Sequence, residues 1–396
     1  MRRNHPHLTL AAAICLLAAP ASAQTPQTPQ TPLAAPIHDT ARFLAGLAPS
    51  TDPAMMELTQ EESWQEHSHF FDTAWTRLEQ NQLAKVRAWA GTQMPDAVAS
   101  KGSVFYMFSG PDFLYADTFF PQATTYVLCG MEPIGPLPDV SKISPRGLGG
   151  ELRALQESLN SVLNISFFIT KDMRNDLNHH TLSGTLPVLY IFLARSGKTI
   201  SDVTYVNLDA QGTLTVQKDS TPADKSTTPG VRIQFLTSGS STPRTLYYFS
   251  TDISDSGLKK TGFLQFCKTL APANSCVKSA SYLMHESNFS MIRGFLLENT
   301  VTLVQDDSGI PCSYFPTEDW QMRFYGSYQR PISLFSNCYQ PKLAEYYQTT
   351  HPEPLTFGIG YRHRAGESTL MIATRTPPAT PAPSANIATP PTPGPS

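Results

Sequence analysis

The residues with chemistry to offer stand at the ends of apolar, β-rich runs. Ser109, Gly110 and Asp112 follow Val104–Phe108, Cys129 and Glu132 close Thr124–Cys129, and Thr170 and Asp172 close Ile165–Thr170. Ser250 and Asp252 follow Thr245–Ser250, His285 and Glu286 end Ala280–His285, and Asp306 and Asp307 follow Val301–Gln305. In an open α/β sheet, ligands bind beyond the carboxyl ends of the strands, so these positions are where binding or catalysis is expected. Asp112, His285 and Asp306 are the candidate catalytic groups, carboxylates and an imidazole suited to general acid–base work. Ser109, Glu286 and Asp307 are the candidate ligand contacts. Alanine at Asp112, His285 or Asp306 is expected to remove function while leaving the melting temperature nearly unchanged.

Each of these residues also has a purely structural account. Asp112 follows Ser109-Gly110-Pro111 and suits the positive N-terminal end of a helix, which would equally repel an approaching anion. His285-Glu286 lacks the second histidine of the metalloprotease helix, because Phe289 stands four residues on. Asp306-Asp307-Ser308-Gly309 reads as a turn, without the spaced acids of an EF-hand loop. His67 and His69, two apart on a helix, face different ways, and His179-His180 near Asp176 stand in a polar loop where histidines are usually solvated. No G-x-S-x-G, P-loop or G-x-G-x-x-G occurs, and no cofactor or metal follows from the pattern.

The elements that would position these groups begin with Gly102–Pro138. A bulky apolar run, a Ser-Gly-Pro-Asp stop, a short segment ended by Pro121 and a second run from Thr124 to Cys129 predict strand, helix and strand, a parallel βαβ unit. Ahead of it, Trp64, Phe71, Trp75, Leu78, Leu83, Val86 and Trp89 recur at helical spacing, so residues 37–100 form a helical segment. Behind it come a helix from Glu151 to Val162, a buried strand Ile165–Thr170, an apolar run Leu186–Ala194 and a hairpin of Val203–Leu208 with Thr213–Gln217. Residues 218–230 are a polar loop. The second portion, 231–375, offers strands Val231–Leu236 and Thr245–Ser250, then a helix Gly257–Leu270 capped by Asp255 or Ser256. A strand Ala280–His285, a helix from Asn288, a strand Val301–Gln305, a short helix near Leu343–Tyr347 and a hairpin of Leu355–Arg362 with Thr369–Thr374 follow.

The runs Phe105–Ser109 and Leu246–Ser250 resemble one another, each ending in Ser with an Asp shortly after. The fold class expected is therefore α/β or mixed α+β, with two possibly related βαβ-containing portions (101–217 and 231–375) forming a largely parallel sheet.

Length and composition bound the function. Arg2-Arg3, the apolar run Leu8–Ala19 and Ala21-Ser22-Ala23 read as a secretory signal peptide cleaved after Ala23, which places the product in the periplasm or outside the cell. No later run is long and uncharged enough for a membrane span. Residues 24–36 are a Thr/Pro/Gln-rich linker and residues 376–396 a proline-rich tail, neither able to bury a core. The net charge of −3 becomes −5 without the two leader arginines, which argues against nucleic acid. Five cysteines follow the leader, an odd number. Pairs Cys267–Cys276 and Cys312–Cys338, leaving Cys129 buried, are one expectation, and five reduced thiols the other. The leading function is a non-enzymatic envelope protein that binds a partner or small ligand. The alternative is an exported hydrolase using strand-end carboxylates and His285, alone or with a divalent ion.

Overall fold

The computed structural model describes residues 34–167, 181–220 and 227–376. The expected signal peptide, most of the linker, the proline-rich tail, the strand-end residues Thr170 and Asp172, and the loop histidines His179 and His180 lie outside these ranges.

The chain begins with five helices: α1 (Ala34–Leu44), α2 (Pro53–Leu58), α3 (Glu62–Leu78), α4 (Ala84–Gln93) and α5 (Pro95–Ala99). A π-helical turn, Glu79–Leu83, joins α3 to α4. Asp39 ties α1 to α2, its carboxylate accepting the backbone N–H of Ser50, Thr51 and Asp52. The expected βαβ unit follows as β1 (Ser103–Tyr106), α6 (Phe113–Phe119) and β2 (Thr125–Gly130), with β1 and β2 parallel. Next come α7 (Pro145–Ile165), α8 (Leu186–Arg195), β3 (Lys198–Leu208), β4 (Leu214–Gln217), β5 (Thr228–Thr237) and β6 (Arg244–Ser250). The rest is α9 (Asp255–Leu258), α10 (Phe263–Thr269), β7 (Ala273–Val277), α11 (Ser290–Asn299), β8 (Thr300–Gln305), β9 (Trp320–Gly326), α12 (Pro341–Thr350) and β10 (Thr369–Arg375).

All ten strands join one sheet in the order β4-β3-β5-β6-β2-β1-β7-β8-β10-β9. The inner strands β6, β2, β1, β7 and β8 are parallel, and antiparallel strands extend both edges. Alternation along each strand feeds two cores. Val104, Tyr106, Tyr126 and Leu128 pack with α1, α3, α6, α7 and α8. Phe105, Met107, Val127 and Cys129 pack with α9, α10 and α11 on the other face. From β1 the parallel core builds outward to β2 and β6 through helices on the first face. It then returns past both strands to β7 and β8 through helices on the second. The direction of winding reverses between β1 and β7, the place where a doubly wound sheet leaves a crevice.

Several expectations need correction. Ile165 is not the start of a strand but the last residue of α7, because the Leu152–Leu155–Leu159–Val162 stripe continues until Ser166 takes a left-handed conformation. Leu186–Ala194 is a helix buried on every side, where periodicity cannot separate helix from strand. The strand expected at Ala280–His285 lies earlier, at Ala273–Val277. Polar Asn274 and Ser275 hid it, although Ser275 is satisfied across the sheet by Thr300 at 2.8 Å. The helix expected at Gly257–Leu270 is broken in two and capped by Ser254, and the one expected from Asn288 starts at Ser290. Thr228–Gly230, expected as loop, begins β5.

Leu355–Arg362 does not form a hairpin with β10, which pairs with β8 and β9 instead. The Phe105/Leu246 echo does not extend to topology: β1 neighbours its successor β2, whereas β6 is separated from β7 by β2 and β1. Neither Cys267–Cys276 nor Cys312–Cys338 is bonded. Cys267 sits in the α10 core and Cys276 in β7, on opposite faces of the sheet, with no two described cysteines at bonding distance. No helix among the described residues is long and apolar enough to cross a membrane.

Candidate functional site

Beyond β1 the chain turns sharply through Met107–Asp112. Phe108 has φ +62° and Gly110 φ +54°, and Gly110 N–H donates to Cys129 O at 3.1 Å, drawing the ends of β1 and β2 together. Gly130 suits this close approach, since a Cβ would lie 3.0 Å from Gly110 Cα and would displace the Glu132 carboxylate. Asp112 caps α6 as expected, Oδ1 accepting Tyr115 N–H at 3.1 Å. Its other oxygen has a second role. Oδ2 accepts the Tyr106 hydroxyl at 2.8 Å and lies 3.1 Å from the ammonium of Lys278.

Lys278 is the first residue past β7 and only 3% exposed, and Asp112 is 2% exposed. The ammonium also donates to the carbonyl of Ser166, the left-handed cap of α7, and sits 4.3 Å over the ring of Tyr115. A buried lysine needs such partners, because desolvating an ammonium costs several kcal/mol, on the order of what its carboxylate returns. The next turn carries the carboxyl end of β8. Ser279 N–H donates to Asp306 Oδ2 at 2.9 Å, Ser308 N–H to Oδ1 at 3.0 Å, and the Tyr282 hydroxyl to Asp307. Tyr361 closes this side, donating to Ser279 O at 2.9 Å while accepting Ser281 N–H at 2.9 Å. Burial raises the pKa of both Asp306 and Asp307, and the charge of Asp306 raises Asp307 further.

A cavity of about 40 Å³ lies between these turns, lined by Tyr106, Ser109, Asp112, Glu132 and Lys278 among others. Thus Ser109 and Asp112 share a cavity, and Asp306 is one Ser279 amide away from it. Asp307 and His285 lie to one side, around Tyr282, whose ring meets that of His285 edge-on at 5.1 Å. Burial lowers His285 to about 4, which makes it a weak base at neutral pH. Glu286 is exposed and takes no part in the cavity. Cys129 is sealed in the second core, and burial pushes its thiol up to about 12. No group of three or more His, Cys, Asp or Glu among the described residues is arranged to hold a metal ion. Because Asp112 and Asp306 are buried and multiply bonded, their replacement by alanine must disturb folding too, contrary to the sequence-based expectation of a nearly unchanged melting temperature.

Sequence reasoning misses Lys278, whose signal is a lysine directly after the apolar Cys276-Val277, because the pattern puts the strand before it too late in the chain. It also misses the tyrosine hydroxyls that organise the acids. Backbone strain marks the same place. Six described non-glycine residues have positive φ, and five of them (Phe108, Ser166, Ser279, Ser281 and Tyr282) belong to the turns around Lys278. Such strain concentrates where surrounding structure holds a site in shape. Compared with known proteins, the chain matches no family model, no curated protein and no solved structure.

Proposed function

We propose that the chain is a ligand-binding protein working outside the cytoplasm, and that its ligand enters the crevice at the carboxyl ends of β1 and β7. The observation that carries this reading is the buried Asp112–Lys278 pair at the reversal of the sheet. A buried ion pair adds little net stability over an apolar pair of the same shape, so its position at the switch point speaks for function. Asp112 and Glu132 line the cavity against the one lysine, which favours a ligand bearing a cationic or hydrogen-bond-donating group. The cavity of about 40 Å³ has room for little more than water, so a larger ligand must displace the half-buried rings of Phe108 or Phe167 at its rim. The leader-like N-terminus supports export.

A hydrolase is the second reading, favoured by the raised pKa values of Asp306 and Asp307, either of which could serve as a proton donor. The two readings separate in one assay. Thermal shifts of the mature chain with polyamines, amino sugars and short basic peptides should rise for the wild type and not for the neutral pair D112N/K278M. Equal shifts in both proteins would remove the crevice from consideration, and turnover of any of these compounds would favour the hydrolase.

A further inference from the structure

A pocket of about 460 Å³ not used so far lies beside the π-helical turn that joins α3 to α4. Its walls are that turn, the C-terminal end of α7 and the loop before β10. A π turn inserts one residue into a helix, widens it locally, and occurs frequently at functional sites. Here it lets Gln82 reach across and clamp the opposite wall, its amide donating to Gly358 O and accepting Gly358 N–H at 3.1 Å.

The lining is one-sided in charge. Arg77, Lys85 and His363 border the pocket, and no Asp or Glu among the described residues does, in a chain whose net charge is negative. The acid on the π turn, Glu79, pairs with Arg87 instead. Lys85 has no ion pair or hydrogen bond among the described residues, and Arg77 donates only to Asn164 Oδ1 at 3.1 Å.

At the bottom are two unsatisfied hydroxyls. Tyr115 is 0% exposed, and its hydroxyl lies near the side chains of Gln82 and Ser166 without a hydrogen bond of proper geometry to either. The Ser166 hydroxyl, also buried, has no hydrogen-bond partner among the described residues. A buried hydroxyl left unpaired costs about 1–3 kcal/mol, so two at the base of one pocket point to a partner that arrives from outside. Burial raises the pKa of Tyr115, which keeps it a donor.

We infer that this pocket is a binding site for a small organic anion. Arg77, Lys85 and His363 hold its carboxylate or phosphate, and the hydroxyls of Tyr115 and Ser166 donate to an oxygen at the inner end. The volume falls in the range of small-molecule sites and exceeds what an inorganic ion fills. Leu78, Leu163 and Phe357 supply the apolar surface an organic body needs. This site stands independently of the acid crevice, although Tyr115 and Ser166 form the partition between them, each touching Lys278 on its other side.

The test is calorimetric titration of the mature protein with citrate, N-acetylalanine, glucose 6-phosphate and inorganic phosphate, at low and moderate salt. At least one of the three organic anions should bind with Kd below about 1 mM at low salt, more tightly than inorganic phosphate. Carboxylate and phosphate selectivity are read from which one it is. R77Q/K85Q should weaken that binding at least tenfold with an unchanged melting temperature. Y115F should weaken it while raising the melting temperature of the ligand-free protein, because it deletes an unpaired buried hydroxyl. Failure of all three anions to bind, or binding that survives both variants, overturns the assignment.

Discussion

The ammonium of Lys278 lies 3.1 Å from Asp112 Oδ2, joining the turns that leave β1 and β7 where the sheet reverses its winding. Lys278→Met leaves the Asp112 carboxylate buried with only the Tyr106 hydroxyl and the Tyr115 N–H as partners and no counter-charge, and should lower the unfolding free energy by about 3–5 kcal/mol at pH 7 in urea titrations. D112N/K278M removes both charges, and an asparagine side chain can still cap α6, so most of that loss should return. A double variant no more stable than K278M would mean that the pair itself is indispensable to the fold.

Ser279 has φ +52° and a buried hydroxyl with no partner among the described residues, while its N–H and C=O are held by Asp306 and Tyr361. Ser279→Gly should stabilise the protein by about 1 kcal/mol, since it relieves a left-handed residue and deletes an unsatisfied group without touching either backbone bond. If the strain serves the crevice, the same variant should lose ligand response while gaining melting temperature. A destabilised S279G would show that its side chain has an unrecognised structural contact.

His67 is fully buried, its Nδ1 accepting from Gln156 at 3.0 Å and its Nε2–H therefore donating to Leu44 O at 2.8 Å. Burial lowers its pKa to about 4. Between that value and the unfolded value of 6.5 the unfolded chain binds the extra proton, so stability falls as the pH drops through this window. The loss should amount to about 3 kcal/mol by pH 4. H67Q retains a donor and an acceptor but cannot titrate, and its stability should depend less on pH between 7 and 4. An H67Q profile parallel to the wild type would assign the acid sensitivity to other groups.

Cys129, Cys267, Cys276 and Cys312 are buried, and Cys338 is the most accessible. Among the described cysteines, a thiol reagent applied to the folded protein should label Cys338 first, and denaturant should expose the other four. Non-reducing peptide maps should contain no cross-linked Cys267–Cys276 or Cys312–Cys338 peptides. Finding either would require an oxidation step that this arrangement of thiols does not allow.

The sequence by itself determined the local features. Ser109-Gly110-Pro111-Asp112 stops a strand and starts a helix whatever surrounds it, because Pro111 has no N–H to donate and Asp112 can cap its own backbone. The hairpin at Asp209–Gly212 and the helices around Trp64 and Leu152 are equally local, set by turn chemistry and 3.6-residue spacing. Tertiary structure decided the rest. Ala273–Val277 is a strand because it is buried between β1 and β8, a position that outweighs its polar Asn274 and Ser275. Leu186–Arg195 is a helix because it lies wholly inside the first core, where an apolar run carries no period to read. Lys278 becomes visible only when β7 is placed beside β1, since 166 positions separate it from Asp112 in the chain and no local pattern records such a pairing.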